Sequence, residues 1–114
     1  NLRSQKYEEA KSDFELFIKE HPSNILLGSA HYWLGEIYLL QKEYLEGALI
    51  FAEGYQKYPD SIKSPDMLYR LAETYIKIKK IDEACRTFNQ FILKFPDNQL
   101  INKATLKMND IHCS

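Results

Sequence analysis

Apolar and small side chains recur along this chain at the spacing of helix turns. Leu34 and Tyr38 are four residues apart, so both lie on one face of a predicted helix. After a short break, aromatic and small residues recur at the same spacing from Tyr44 to Tyr55. Pro59 then ends this second helix, because proline cannot continue the backbone hydrogen-bond ladder. The pattern predicts two helices joined by a tight turn.

This helix pair repeats with a period of 37 residues. Small residues in the repeat predict close helix contacts, and the phenylalanines predict core positions between neighbouring helix pairs. Such self-similarity is typical of stacked helical repeats. Seven columns share the period: Pro22/Pro59/Pro96, Phe14/Phe51/Phe88, Ala10/Gly47/Ala84, Tyr7/Tyr44/Ile81, Leu34/Leu71, Gly35/Ala72 and Tyr38/Tyr75.

The predicted fold class is therefore all-α, a superhelix of antiparallel helix pairs with about six helices. Ser64, Pro65 and Asp66 are predicted to begin the fourth helix as a hydroxyl N-cap, a proline at the first helical position and an acid near the positive helix end. Asp97 and Asn98 offer similar chemistry before the last helix. The predicted helices span residues 5–20, 27–40, 43–57, 65–79, 81–95 and 99–112.

Residues 1–114 are predicted to form a single domain. It divides into a half unit at 1–22, full units at 27–59 and 64–96, and a closing helix at 99–112. The first helix resembles the second half of a unit whose opening helix is not in this sequence. Ala10, Phe14 and Phe17 would face that helix, so we expect this apolar face to favour self-association.

The second unit resembles the tetratricopeptide repeat, which implies a scaffold that binds other proteins. The unit of 37 residues is longer than the usual 34, and the additional residues fall in the loop after the proline. The matching positions are Leu34-Gly35, Tyr38, Tyr44, Gly47, Phe51, Gly54 and Pro59, and in the next unit Leu71-Ala72, Tyr75, Ile81, Ala84, Phe88 and Pro96.

A closer resemblance is to the C-terminal repeat domain of the YbgF family of Tol-Pal system proteins, also called CpoB. It rests on the run Ala30-His31-Tyr32-Trp33-Leu34-Gly35-Glu36, then Tyr58-Pro59-Asp60-Ser61, and Lys63-Ser64-Pro65-Asp66 with Leu68. The resemblance implies a periplasmic cell-division coordinator of a Gram-negative bacterium. It also implies binding to TolA and a link from peptidoglycan synthesis, through a possible synthase partner, to outer-membrane constriction. The alternative is a structural subunit, such as a repeat lipoprotein of outer-membrane barrel assembly.

An inner groove is predicted as the partner-binding surface, because the first helix of each repeat lines the inside of such a superhelix. Its aromatic, acidic and aliphatic side chains favour a segment that carries Lys or Arg beside apolar groups. TolA's helical region, rich in Lys and Ala, fits by resemblance. Shared ancestry of the two units, with tyrosines that only pack, is the alternative. The predicted residues are Ser29, Tyr32, Glu36, Leu39, Leu40, Asp66, Tyr69, Glu73, Ile76 and Lys77.

The two cysteines are predicted to meet. In an antiparallel pair of helices joined at residues 97–99, Cys85 and Cys113 lie at similar height, and the gap between packed helices suits a disulfide. Such a bridge would stabilise the fold by about 3–4 kcal/mol in the chain-entropy model and agrees with an oxidising compartment. Two free buried thiols are the alternative. His112 beside them gives at most three metal ligands, too few for zinc, so no metal site is predicted.

Composition removes several other classes of function. Fifteen basic and 16 acidic residues give a formal net charge of −1, which offers no basic surface for nucleic acid or anionic lipid. No apolar run approaches the ~20 residues needed to span a bilayer. The sequence has no nucleophile–base pair, phosphate-binding glycine loop or metal set, so neither an enzyme nor a cofactor is predicted.

Overall fold

The computed structural model describes residues 2–114 and confirms an all-α fold of six helices within that range. Most predicted helix ends fall within two residues of the observed ones, whereas α1 begins three residues earlier than predicted. The division into repeat units and a single domain stays a prediction. The helices are α1 Leu2–Glu20, α2 Leu27–Leu40, α3 Tyr44–Lys57, α4 Ser64–Lys77, α5 Ile81–Lys94 and α6 Ile101–Asp110.

Each helix packs against the next one along the chain, and α2 also contacts α4. We call the surface formed by α2, α4 and α6 the inner face, and α1, α3 and α5 form the opposite row. Contacts between neighbours in sequence are what a stacked repeat requires. Across residues 2–114, no helix has both the length and the apolar character needed to cross a membrane.

The core is built from the phenylalanines of the second helices. Phe51, Phe88 and Phe91 are completely buried, as the repeat predicted for the first two. Phe51 packs in one cluster with Met67 of α4, and Phe88 in a second cluster with residues of α4 and α6. Phe14, the equivalent residue of α1, is only half-buried. The core is therefore less completely filled beside α1 than around Phe51 and Phe88.

Gly35 shows why a small residue is needed in the first helix of a unit. A Cβ atom built on Gly35 would lie 2.6 Å from Cε1 of Phe51, well inside van der Waals contact. In the next unit the equivalent Ala72 is completely buried, so a methyl group is accommodated there. The predicted close approach of the two helices at both positions is confirmed.

Three turns end the helices of the inner face in the same way. Lys42, Lys79 and His112 have φ angles of 62°, 64° and 62°, in the left-handed region. The residue after each donates its N–H to the carbonyl five residues back, as when Cys113 donates to the Met108 carbonyl at 2.9 Å. This is the Schellman arrangement, here without the usual glycine.

A polar side chain before α2, α4 and α6 caps the helix start, as predicted for Asn98 before α6 but not for Ser64 before α4. Asn24, Ser61 and Asn98 stand at 37-residue intervals, and each side-chain oxygen accepts a hydrogen bond from the backbone N–H two residues later, at 2.8–3.1 Å. The predicted N-cap at Ser64 is wrong. Ser64 is already helical, and its buried hydroxyl has no hydrogen-bond partner within residues 2–114. Pro65 does occupy the first turn of α4 as predicted.

A disulfide joins Cys85 and Cys113, whose Cα atoms are 5.6 Å apart. The predicted closing helix at 99–112 is too long, because α6 has 10 residues where α2 and α4 have 14. The left-handed turn at His112 follows the end of α6 at Asp110, so Cys113 lies three residues beyond the helix rather than directly after it. The predicted pair is therefore confirmed, although α6 ends two residues earlier than predicted.

Replacing both cysteines by serine is expected to lower the free energy of unfolding by about 3–4 kcal/mol, because the bridge closes a loop between residues separated by 28 positions. Urea unfolding of the oxidised protein, the reduced protein and the Cys85→Ser/Cys113→Ser variant measures this. The reduced protein should match the variant. Equal midpoints for oxidised and reduced protein would contradict the prediction.

Candidate partner-binding surfaces

The ten residues predicted as a binding groove lie on or beside the inner face but do not form one continuous lining. One group surrounds a depression between α2, α4 and α6 and includes Leu39, Glu73, Ile76 and Lys77. Leu40 is exposed at the end of α2, and Ser29 lies near α1. A binding role for these ten residues stays a prediction.

Two of the three predicted acids of the groove, Glu36 and Glu73, are paired inside the protein. Arg70 of α4 donates to both carboxylate oxygens of Glu36 on α2, at 2.5 and 3.3 Å, and to Glu73 at 2.8 Å. Lys107 of α6 lies 3.1 Å from the other oxygen of Glu73. Four charges thus alternate in sign from α2 across α4 to α6. The Glu36 and Glu73 charges are therefore compensated before any partner arrives.

Sequence reasoning missed this network, although its signal is present. Arg70 and Lys107 are 37 residues apart, and each stands 34 residues after the acid it pairs with in the preceding repeat. Burial opposes the charge of Arg70, but hydrogen bonds to Glu36 and Glu73 outweigh this and raise the pKa of the guanidinium. The network joins successive repeats rather than presenting acids to a ligand.

The charge in the α2–α4–α6 depression that no ion pair compensates is consequently positive. Four basic side chains and one carboxylate line a volume of about 580 Å³. The sequence predicts a partner rich in Lys or Arg at this surface, but the positive local charge disfavours such a partner. The basic lining residues are Arg70, Lys77, Lys79 and Lys107.

Tyr69 is a core residue rather than a surface contact. It is 5% exposed, and its ring centroid lies 5.9 Å from that of Phe88 and 5.7 Å from that of Phe91. Burial and then the charge of Glu73 raise the pKa of its hydroxyl to about 12. Tyr69 therefore only packs in the core, which is the alternative to a binding role.

Tyr32, the equivalent residue of α2, remains partly accessible. Its ring packs against Phe51 at 6.0 Å and edge-on against Trp33 at 5.0 Å. The Lys63 ammonium lies 4.9 Å from the Tyr32 ring centroid. Burial, followed by the charges of Glu36 and Asp66, raises the pKa of Tyr32. The Tyr32 end of the inner face is therefore aromatic and close to charges of both signs.

Lys11 fixes α1 to α2 from a nearly buried position. Its ammonium group lies 3.1 Å from Glu8, 3.2 Å from Glu43 and 4.0 Å from the centroid of the Tyr38 ring. Burial opposes its charge, but hydrogen bonds to the two carboxylates outweigh this and raise the pKa of Lys11. The lysine stands where later units have Ala48 and Cys85, so the contact is particular to the first helix.

A second depression, which we call the outer groove, lies between α1 and α3 with α2 as its floor. Its volume is about 370 Å³, and its lining contains three carboxylates and neither Lys nor Arg. Glu15 and Glu46 have no ion-pair partner in the part of the chain that the structure describes, whereas Glu53 contacts Lys57 and His31. Its lining is Glu15, Ile18, His31, Leu34, Tyr38, Glu46, Leu49, Ile50 and Glu53.

The histidines take structural or surface positions. His31 is buried, with Nδ1 3.1 Å from the Leu27 carbonyl and Nε2 3.3 Å from Glu53, as a packing role requires. His21 and His112 are exposed. No group of three or more His, Cys, Asp or Glu that could hold a metal ion occurs within residues 2–114.

Comparison with known families supports the repeat assignment. Residues 66–98, which run from α4 to the loop after α5, match the tetratricopeptide repeat family. Together with the six helices, the match gives the fold as an all-α helical repeat of the tetratricopeptide type. Repeats of this type generally mediate protein–protein interaction and are typically not enzymes. A comparison with curated protein sequences finds no significant match.

Arg70→Met is expected to lower the free energy of unfolding by about 1–3 kcal/mol, because it leaves Glu36 without its cation and Glu73 with Lys107 alone. The control is Arg86→Met, which removes only an exposed contact of 3.8 Å with Glu83 and should cost less than about 0.5 kcal/mol. Chemical unfolding measures both. Adding Glu36→Gln to Arg70→Met should restore part of the loss, and equal effects of the two single arginine changes would contradict the network.

Stability should fall at high pH through Tyr69. The pKa of Tyr69 is about 12 in the folded state and about 10 in the unfolded state. The contribution of Tyr69 to the free energy of unfolding is therefore complete below pH 10. As the pH rises towards 12, only the unfolded state readily ionises, so about 2–3 kcal/mol is lost. The Tyr69→Phe variant should lose correspondingly less free energy of unfolding between pH 9 and pH 11.5. Parallel losses in both proteins would contradict this assignment.

Proposed function

We propose that this protein is a protein-binding module of a periplasmic, Tol-Pal-associated cell-division coordinator in a Gram-negative bacterium, and that TolA is its partner. The sequence resemblance to the YbgF family supports this role, and the tetratricopeptide match agrees with a binding function. A peptidoglycan synthase is a further partner of the same proposal. The alternative role is a structural subunit of outer-membrane barrel assembly.

The disulfide supports the compartment in this proposal. Disulfides persist in oxidising environments such as the periplasm and are rare in the reducing cytosol. In this chain the bridge lies at the end of the repeat stack and ties α5 to the segment after α6. Export to an oxidising compartment would therefore contribute directly to the stability of the module.

The outer groove is the surface that best fits a helical segment rich in Lys and Ala. Its aliphatic floor and walls include Ile18, Leu34 and Leu49, and two of its carboxylates lack internal partners within residues 2–114. Carboxylates of this kind attract cationic side chains and steer the encounter, while the apolar floor offers area to bury. Glu36 and Glu73 of the inner face are compensated by Arg70 and Lys107 and supply no comparable attraction. These uncompensated carboxylates are the observation that carries the proposed binding mode.

Binding to the soluble helical region of TolA, measured by calorimetry at low and high salt, is the direct test. Unaltered protein should bind more weakly at high salt, since exposed charges are screened. Glu15→Lys/Glu46→Lys should weaken binding at least tenfold, because it reverses the charge of the outer groove. The matched control is Glu9→Lys/Glu20→Lys, the same charge change at exposed sites of α1 outside the groove.

Three results would change the proposal. Equal losses in both charge variants would mean that overall charge, rather than the groove, governs binding. Binding that survives Glu15→Lys/Glu46→Lys but is lost in Tyr32→Ala would return the site to the inner face, as the sequence predicts. No binding by unaltered protein would refute the TolA assignment and favour the structural-subunit alternative.

Self-association through the apolar face of Ala10, Phe14 and Phe17 is a separate proposal. All three side chains are half-buried in the structure rather than fully covered. Light scattering over a range of concentrations tests it, and a mass that stays monomeric at every concentration would refute it.

A further inference from the structure

The outer groove has a counterpart one repeat later, between α3 and α5 with α4 as its floor. Each groove residue corresponds to the residue 37 positions further along the chain, so that Ile18 on the α1 wall corresponds to Tyr55 on α3. The three helices of each interval all lie within residues 2–114. Because the helices follow one another in the same order, equivalent side chains show what is particular to the outer groove.

Tyr55 fills the second interval from within the chain. Its side chain packs against both core clusters, including the one that contains Leu71 of α4. In the outer groove the equivalent floor residue is Leu34 of α2, but the wall position carries Ile18, which has no ring. A depression of about 370 Å³ remains there. The outer groove is therefore open where its counterpart holds a large side chain of the chain itself.

The second interval also compensates its carboxylate from within the chain. Glu83 lies 3.8 Å from Arg86 on α5. At the equivalent positions of α3, Glu46 is followed one turn later by Leu49 instead of a cation, and this leucine is 63% exposed. Packing of the repeat does not require a leucine there, because arginine occupies the same position one repeat later.

Two further positions are acidic only in the outer groove. Glu15 and Glu53 stand where the second interval has the neutral residues Ala52 and Gln90. The repeat packs without a charge at either position, so the fold itself does not require these acids. The outer groove thus combines an unfilled apolar floor with more negative charge than its counterpart, where Glu83 alone is acidic among the equivalent positions.

We infer that the outer groove holds its partner helix by one large apolar side chain, which takes the place that Tyr55 fills one repeat later, with Lys or Arg on both flanks of that side chain. This inference rests on the proposal that the groove binds a cationic helix, and it adds the residue that anchors the helix. Glu15 on α1 and Glu46 on α3 lie on opposite walls, so cations on both flanks meet a carboxylate.

The anchor also selects the stretch of a partner that binds. An alanine methyl group removes little of the aliphatic floor from water, whereas a tyrosine, phenylalanine or leucine side chain buries several times that area. Within a helical region rich in Lys and Ala, the bound stretch is therefore one that carries a large apolar residue between its cations. Lysine and alanine alone give attraction without an anchor.

Two fluorescein-labelled peptides test the inference by fluorescence anisotropy. Both consist of alanine and lysine and have about 20 residues, which is long enough for an alanine-rich sequence to be helical. They are identical except for a central tyrosine in one and a central alanine in the other. Unaltered protein should bind the tyrosine peptide about tenfold more tightly. Alanine is the better helix former, so this preference cannot come from helix content.

The decisive protein variant is Ile18→Tyr, which fills the groove from its own wall and keeps all three carboxylates. The chain already accommodates tyrosine at the equivalent position 55. This variant should bind both peptides with the same weak, salt-sensitive affinity. Ile92→Tyr is the matched control, because it is the same change one further repeat along, on α5 and outside the groove. It should retain the tenfold preference, and circular dichroism verifies the helical fold of both variants.

Leu49→Arg keeps the test decisive if Ile18→Tyr fails to fold. It supplies Glu46 with the cation that Arg86 gives Glu83, and it removes an exposed apolar contact, so both peptides should bind more weakly. Leu93→Arg is the control, the same charge change at a residue of α5 that is 82% exposed, and it should bind both peptides as unaltered protein does.

Equal affinity of unaltered protein for the two peptides, binding of neither, or a preference that survives both Ile18→Tyr and Leu49→Arg would overturn the inference. TolA separates this from the proposed function. Binding of TolA that is lost in Glu15→Lys/Glu46→Lys, together with equal peptide affinities, would overturn the anchor alone. A tyrosine preference without TolA binding would support the anchor and refute the TolA assignment. A doubled mass of the protein alone that Ile18→Tyr returns to monomer would overturn the inference in favour of a second copy.

Discussion

A buried phenylalanine ring in α3, and another at the equivalent position of α5, holds neighbouring repeats together. Phe51 of α3 touches α2 at Gly35 and packs with Met67 of α4, so a single side chain joins three helices. Phe88 does the same between α4, α5 and α6. Because each ring needs helices on both sides to be removed from water, no helix pair completes its own core. Within residues 2–114, Phe14 has this support from α2 alone, and it stays half-buried.

The ion pairs of the inner face repeat with the same period, and they also join neighbouring repeats. Arg70 and Lys107 each reach back to an acid of the preceding repeat, so the ion pairs cross the same boundaries as the phenylalanines. Pairing inside the stack removes Glu36 and Glu73 as binding groups and leaves the depression between the inner helices positive. Carboxylates without internal partners in the described chain remain on the outer groove. Repeat geometry therefore separates charges that stabilise from charges that are available to a partner.

The helix order, the period and the core phenylalanines were predictable because each depends on spacing along one chain. The cysteine pair was predictable for the same reason, since it joins neighbouring helices at matching height. The cap at Ser64 was not, because several hydroxyl and amide side chains near a helix start compete for the same N–H groups, and Ser61 has the better geometry. The end of α6 depends on a left-handed His112, which no hydrophobic pattern marks.

By itself the sequence determined the number of helices, their stacking order and the residues buried between them, because periodic apolar positions leave a helical chain few ways to exclude water. Only the tertiary structure decided which side chains remain available. Tyr32 and Tyr69 occupy the same repeat position, yet Tyr69 is buried against Phe88 and Phe91, whereas Tyr32 packs on Phe51 and stays partly accessible. Glu36 and Glu46 are both acids on helical surfaces, yet only Glu36 lies within reach of Arg70. Availability depends on the neighbouring helix, and local sequence does not specify that neighbour's side-chain positions.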